Sequence, residues 1–127
     1  MSATAVFFVA DAPSALEFYT TTLGFRRDWV HEEQGRPFVF RVSLLDFEII
    51  LNQCEPDTKH RVGHGRVFIG LDAHQSAGFR AHIEKLRIPL VQTHWGAPTL
   101  VMHDMDRNEF FFWLPETERA SLPDVVG

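Results

Sequence analysis

Seven histidines, one cysteine and seventeen carboxylates are the groups that could do metal, nucleophilic or acid–base chemistry in these 127 residues. Their spacing argues against most of it. His60 and His64 are four apart, a separation that shares a face on a helix, but they stand in a polar stretch that leads into a strand, where the spacing loses that meaning. His31, His74, His82, His94 and His103 are scattered, and His103 beside Asp104 suits a turn hydrogen bond better than a catalytic dyad. Cys54 is alone, which excludes a disulfide framework within the chain. There is no Ser/His/Asp order and no glycine-rich phosphate loop. Glu48 and Glu109 lie in strand-like apolar runs and could serve as acid or base if burial raised a pKa. The remaining chemistry is aromatic: twelve Phe and three Trp, for stacking and packing.

These side chains must be placed by a chain built twice over. Ala5 to Ala10 is a continuous apolar run, six residues long and too short to span a membrane, as a buried strand should be. Asp11 stands where a helix needs its N-cap, with Pro13 in the first turn. Ala12, Ala15, Leu16, Tyr19 and Leu23 make an apolar stripe, and Gly24 supplies the stop. At an offset of 61 residues, Val67–Phe79 repeats Val6–Phe18 with five identities in thirteen. The same order of strand, helix and three short strands follows both copies. Strands are expected over 25–31, 37–43 and 47–52, with a reversal at Glu32–Arg36. After the polar linker 53–63 come a strand over 66–71, a helix over 75–86, and two apolar strands around an Asp104–Asn108 turn. The tail 116–127 is polar. A net charge of −5 without a basic stripe gives no nucleic-acid footprint, and the N-terminal segment has no signal-like pattern, so the expected location is the cytoplasm.

Two motifs carry a resemblance. D-x-x-x-A-x-x-F-Y-x-x-x-L-G-F spans Asp11–Phe25, and D-M-D-R-N at Asp104–Asn108 resembles D-P-D-G-N, with Met105 for Pro and Arg107 for Gly. Together they are similar to the vicinal oxygen chelate superfamily of glyoxalases, extradiol dioxygenases, thiol transferases and bleomycin resistance proteins. LGFRRDWVHEEQGRPFVF is closest to the bleomycin resistance branch. The resemblance covers about 6–116. It implies an α+β fold of two βαβββ modules, about 4–52 and 64–115, forming a curved mixed sheet around a cleft, within a single domain that pairs as a homodimer.

The resemblance also implies where a metal would be held, one ligand on each of four strands. Those positions fall on Thr4, Ile50, Gly65 (Gly63 after a slip of two) and Phe111, none suited to coordination. The implied function is metal-free sequestration of an amphipathic, aromatic and cationic small molecule of the bleomycin kind, with no cofactor, nucleic acid or membrane partner. Counting by twos from the four positions puts Val6, Phe8, Glu48, Asn52, Glu109 and Trp113 on the inward face. The expected ligand-binding set is Phe8, Phe38, Phe40, Glu48, Ile50, Asn52, Trp95, Glu109, Phe111 and Trp113. Trp95 is assigned to a mouth loop, and Trp29 to the second strand. Phe7, Phe68, Phe110 and Phe112, of opposite parity, should pack under the helices. The alternative is a divalent-metal enzyme, a glyoxalase-like lyase, dioxygenase or thiol transferase using zinc, nickel, manganese or iron. It would take His64, Glu48 and Glu109 as ligands and requires an odd register slip to turn His64 inward. A third reading keeps the fold as a regulatory or interaction module.

Overall fold

The structure, a computed structural model, describes residues 1–92 and 99–115. The expectations for Trp95 and for the tail 116–127 lie outside these residues. The elements follow the expected doubled order: β1 (Ala5–Val9), α1 (Ala12–Glu17), β2 (Arg26–Glu33), β3 (Arg36–Leu44) and β4 (Phe47–Gln53), then β5 (Arg66–Gly70), α2 (Ala73–Leu86), β6 (Val91–Gln92), β7 (Thr99–His103) and β8 (Glu109–Trp113). Each copy makes a mixed four-stranded sheet, ordered β1-β4-β3-β2 and β5-β8-β7-β6, with the first strand parallel to the last and the other pairs antiparallel. This is the α+β, glyoxalase/bleomycin-resistance-like arrangement the sequence implied. The chain divides into two compact units, one of Met1–Gly65 with Asp104–Asn108, the other of Arg66–His103 with Glu109–Gly127.

In unit 1, Asp11 caps α1 by accepting from the backbone N–H of Ser14, as its place before Pro13 predicts. The small Ala12 and Ala15 are fully buried, which lets the helix lie close to the sheet. α1 continues as a π-helical turn, Phe18–Thr22, closed by Leu23 N–H bonding to the Phe18 carbonyl. Gly24 then ends it at φ 71°. Tyr19, inside that turn, is fully buried edge-on to Phe25 at 5.4 Å and to Phe40 at 6.3 Å. Its hydroxyl donates to Asp104 Oδ2 at 2.6 Å.

Asp104 is the centre of the turn Asp104–Asn108. Its Oδ1 accepts from the N–H groups of Asp106 (2.8 Å) and Asn108 (2.9 Å), and its Oδ2 also accepts from Asn108 Nδ2 (2.9 Å). Asn108, fully buried, donates to the Phe8 carbonyl at 3.2 Å and accepts from Gly65 N–H at 2.8 Å. Four donors on one carboxylate are what make its burial tolerable. His103, expected to bond Asp104, instead meets Glu109 Oε2 at 3.2 Å, because backbone amides and Tyr19 already fill the Asp104 oxygens.

The polar segment 53–63 joins β4 to β5, and its end is held closely. It contains a 3-10 turn, Lys59–Arg61. Gly63 has φ 80°, and a Cβ there would run into the Asp106 carbonyl, while a Cβ on Gly65 would strike the Phe7 ring. Polar composition marked the segment as a connection but said nothing of what it lies against.

In unit 2, α2 begins two residues before the expected start, with a capping box between Asp72 and Gln75, and closes with Arg87 in the left-handed region. Its buried Phe79 stacks on Phe112 at 4.2 Å, over a sheet face that also carries Phe110, Leu100 and Met102, all essentially buried. Phe7, Phe110 and Phe112 thus pack as expected, and Phe68 does not: it is 56% exposed. The helix caps, Asp11 and Asp72, keep the 61-residue offset, but the strands before them are out of phase by one. In β1 the buried residues are Phe7 and Val9; at the end of β5 it is Leu71, leaving Arg66, Phe68 and Gly70 exposed. A shift of one residue exchanges the two faces of a strand.

Two measurements test this account. Tyr19 is the chain's sole tyrosine, and burial, reinforced by the Asp104 carboxylate, holds its phenol well above the usual value. The folded protein therefore keeps the proton while the unfolded chain loses it above about pH 10. Stability should be unaffected below that pH and fall as pH rises beyond it, with tyrosinate absorbance appearing only on unfolding. Tyr19→Phe should remove this alkaline loss and cost about 1–3 kcal/mol at neutral pH in denaturant titration. Arg107 occupies φ 71°, where the resembling motif has glycine. Arg107→Gly should raise stability by about 0.5–1 kcal/mol, read from the same titration.

Candidate functional site

Paired residues in a sheet point to the same side, so the register identifies each unit's open face. In unit 1, Val6 pairs with Ile50 and Phe8 with Asn52, and β3 adds Val39, Arg41 and Ser43 through their pairing with Asn52, Ile50 and Glu48. Phe8, Glu48, Ile50 and Asn52 therefore share one face, as counting by twos implied. Phe40 does not: it is fully buried on the opposite side against Tyr19. Phe38 has the same parity as Phe40 and lines a separate cavity of about 340 Å³ with Asp11, Arg36 and Gln53. The sequence count fixed the inward face from β1 and β4, and Val39↔Asn52 sets β3 at the other parity.

The acidic group on this face is already engaged. Arg41 Nη1 meets Glu48 Oε2 at 3.1 Å while its Nε meets Asp28 at 3.2 Å. Asp28 sits at a bulge in β2 and also receives Arg26 Nε at 3.2 Å and Ser43 Oγ at 3.1 Å. Burial would raise its pKa, but the hydrogen bonds of Arg26 and Ser43 and the two guanidinium charges outweigh this and hold it below the ordinary range. Trp29, opposite Arg41, is 39% exposed.

A second feature of unit 1 is a cavity of about 550 Å³ lined by Val6, Phe8, His60, Arg61, His64 and Gly65. The Arg61 guanidinium lies over the Phe8 ring, 5.6 Å from its centroid. The pairing of His60 with His64, set aside on spacing alone, is made here by the fold of the 59–65 segment rather than by a helix.

In unit 2 the open face is an aromatic ladder. The parallel register places Phe68 beside Phe111 and Gly70 beside Trp113, and β7 contributes Val101 and His103. Phe68 and Phe111 stack at 4.6 Å with planes 15° apart. Arg66 covers Phe111 at 4.9 Å from its centroid and meets Glu109 Oε1 at 3.1 Å. Glu109 Oε2 faces His103 Nε2 at 3.2 Å. Trp113, two residues beyond Phe111, is 44% exposed. Phe111, expected to face a ligand directly, is buried at 3% beneath Phe68 and Arg66, so the outer face of Phe68 and the Trp113 indole are what a flat ring can meet, each pair adding about 0.5–1.5 kcal/mol beyond area burial.

Metal holding is a poor fit to these residues. Ile50 offers only hydrocarbon, Gly65 has no side chain, Phe111 is enclosed by Phe68 and Arg66, and Thr4 offers a lone hydroxyl. Among the described residues no three His, Cys, Asp or Glu side chains gather into a group that could hold an ion. In β5 the odd phase that the metal alternative requires is present, yet the strand begins at Arg66, and His64 lies before it in the unit 1 cavity. The fallback Glu48 and Glu109 are each held by an arginine.

Sequence reasoning missed Phe68, Arg41, Arg66 and Arg61. An arginine inside PFVFRVS was the available signal for Arg41, because a charge in an apolar strand needs a partner. Phe68 had no such signal, since only the pairing with β8 reveals its side.

Comparison with known proteins places this geometry. A family model described as the Glyoxalase/Bleomycin resistance protein/Dioxygenase superfamily matches residues 3–112. Among curated proteins nothing matches the chain. The bleomycin-binding protein of Streptomyces verticillus, solved with copper(II)-bleomycin, is 17% identical with a TM-score of 0.63, over 91% of this chain and 97% of that one. TnmS3, an antibiotic-binding protein from Streptomyces sp. CB03234, is 19% identical with a TM-score of 0.59, over 91% and 98%. The fosfomycin resistance protein FosX from Mesorhizobium loti is 13% identical with a TM-score of 0.55, over 96% and 98%. At these identities the likeness is one of fold. Among the described residues no helix is long and apolar enough to cross a membrane.

The Arg66–Glu109 pair is partly exposed, with side chains 57% and 31% accessible. A double-mutant cycle of Arg66→Met and Glu109→Gln, read by denaturant unfolding, should give a coupling of only about 0.2–1 kcal/mol.

Proposed function

This chain belongs to the Glyoxalase/Bleomycin resistance protein/Dioxygenase superfamily, and on that premise we propose that it binds and sequesters a flat aromatic small molecule of the bleomycin kind, without a metal and without chemistry on it. The observation that carries the reading is the ladder of Phe68, Phe111 and Trp113, whose outer ring and indole are open to solvent. Exposed aromatic surface of this kind costs solubility and is kept where it is covered in function. The donor set at the family's ligand positions points the same way, because a hydroxyl, a hydrocarbon, a bare backbone and a phenyl ring do not chelate. Two proteins of the same fold are described as bleomycin-binding and antibiotic-binding.

The ligand's positive charge has less to meet than the sequence implied. Arg41 already neutralises Glu48, and Arg66 shares Glu109 with His103. Stacking therefore supplies the affinity, and a cationic group on the ligand supplements it only by competing with those arginines. The homodimer implied by the family resemblance belongs to this proposal and is read by sedimentation equilibrium of the full chain.

Calorimetric titration with bleomycin tests the assignment. Saturable binding at tens of micromolar or tighter is expected, weakened about five- to ten-fold by Phe68→Ala and by Trp113→Ala. No saturable heat at about 100 µM drug would sink it. Near-stoichiometric zinc, nickel, manganese or iron in the purified protein, measured by plasma mass spectrometry, would turn the reading to the enzyme alternative.

A further inference from the structure

The cavity of unit 1 has a different chemistry from the aromatic ladder. Its wall carries Arg61, His60 and His64 over the apolar strand residues Val6 and Phe8, and among the described residues no carboxylate lines it. Arg41 and Arg66 each hold a glutamate, whereas among the described residues no carboxylate pairs with Arg61; its charge lies over the Phe8 ring at 5.6 Å. In a chain of net charge −5, a pocket whose one formal charge among the described residues is positive is set apart from its surroundings.

The wall is also fixed in place. Gly65 N–H donates to Asn108 Oδ1 at 2.8 Å, Gly63 fits against the Asp106 carbonyl, and Gly65 fits against the Phe7 ring without room for a Cβ. The segment bearing the three basic side chains is thus held against the Asp104–Asn108 turn and β1, rather than hanging as a loose connection. A guanidinium above a half-buried phenyl ring, on a backbone segment held at Gly63 and Gly65, suits a ligand with both an anionic and a flat apolar part.

We infer that this cavity is a second binding site, for a small aromatic carboxylate, with Arg61 pairing the carboxylate, Phe8 and Val6 receiving the ring, and His60 and His64 bordering the anion. The volume of about 550 Å³ lies within the range of small-molecule pockets. The site stands independently of the antibiotic reading, which rests on Phe68, Phe111 and Trp113.

Calorimetry on the full chain at low ionic strength tests this with 1-naphthoate and its uncharged counterpart, 1-naphthylmethanol. The acid should bind saturably and at least about ten-fold tighter than the alcohol. Arg61→Gln should bring the two within about two-fold, and Arg61→Lys should restore part of the difference. Arg61 is exposed, so both variants should keep the parent's thermal unfolding. Equal affinity for acid and alcohol, unchanged discrimination in Arg61→Gln, or no saturable binding at about 1 mM would overturn the assignment. Naphthoate affinity that survives Arg61→Gln and falls in Phe68→Ala would place the ligand on the aromatic ladder and also overturn it. Loss of bleomycin binding with intact naphthoate discrimination would sink the antibiotic reading alone.

Discussion

A buried carboxylate organises unit 1. Asp104 accepts from Tyr19, from two backbone N–H groups and from the Asn108 amide, and Asn108 carries the connection on to Phe8 and Gly65. A charge at this depth is tolerable only when every acceptor direction is filled, and filling them fixes the π-helical turn, the end of β1 and the 63–65 segment together. The motif at Asp104–Asn108 is therefore read better as a structural clasp than as catalytic machinery. Arg107 sits in a left-handed position where glycine would be less strained, so the clasp retains its geometry despite a poorly suited residue.

With the clasp in place, each open sheet face settles its own charges. Arg41 bridges Asp28 and Glu48, and Arg66 bridges Glu109 while covering Phe111. The carboxylates that invite acid–base or cation-binding interpretations are thereby engaged by neighbours on the same face. What remains available differs between the units. Unit 2 offers stacked and exposed rings, and unit 1 offers a basic rim over a phenyl group. Among the described residues, neither surface gathers three His, Cys, Asp or Glu side chains into a group that could hold an ion.

The repeat in sequence is real in fold and imperfect in phase. Identity aligns the caps Asp11 and Asp72, and both do cap their helices. In the strands before them the same alignment pairs buried Phe7 with exposed Phe68. Helix caps are specified by local hydrogen bonding, so they survive in register; strand faces are specified by what lies across the sheet, so they need not. That single-residue change of phase creates the Phe68–Phe111 stack and turns an expected core residue into surface.

The sequence by itself determined the βαβββ order, the Asp11 N-cap, the Gly24 stop, the Asp104–Asn108 reversal, and the sharing of one face by Phe8, Ile50 and Asn52. These follow from period, capping and turn chemistry, which act over a few residues. Tertiary structure alone decided that Phe40 is core, that Phe68 is exposed, that Glu48 and Glu109 are held by arginines, and that His60, Arg61 and His64 line a cavity with Phe8. Most of those outcomes join residues far apart along the chain, and even the Arg41–Glu48 pair, seven residues apart, depends on the register of the β3–β4 hairpin. No local spacing encodes such a pairing, because the free energy that selects it is gained only when the partners have already met.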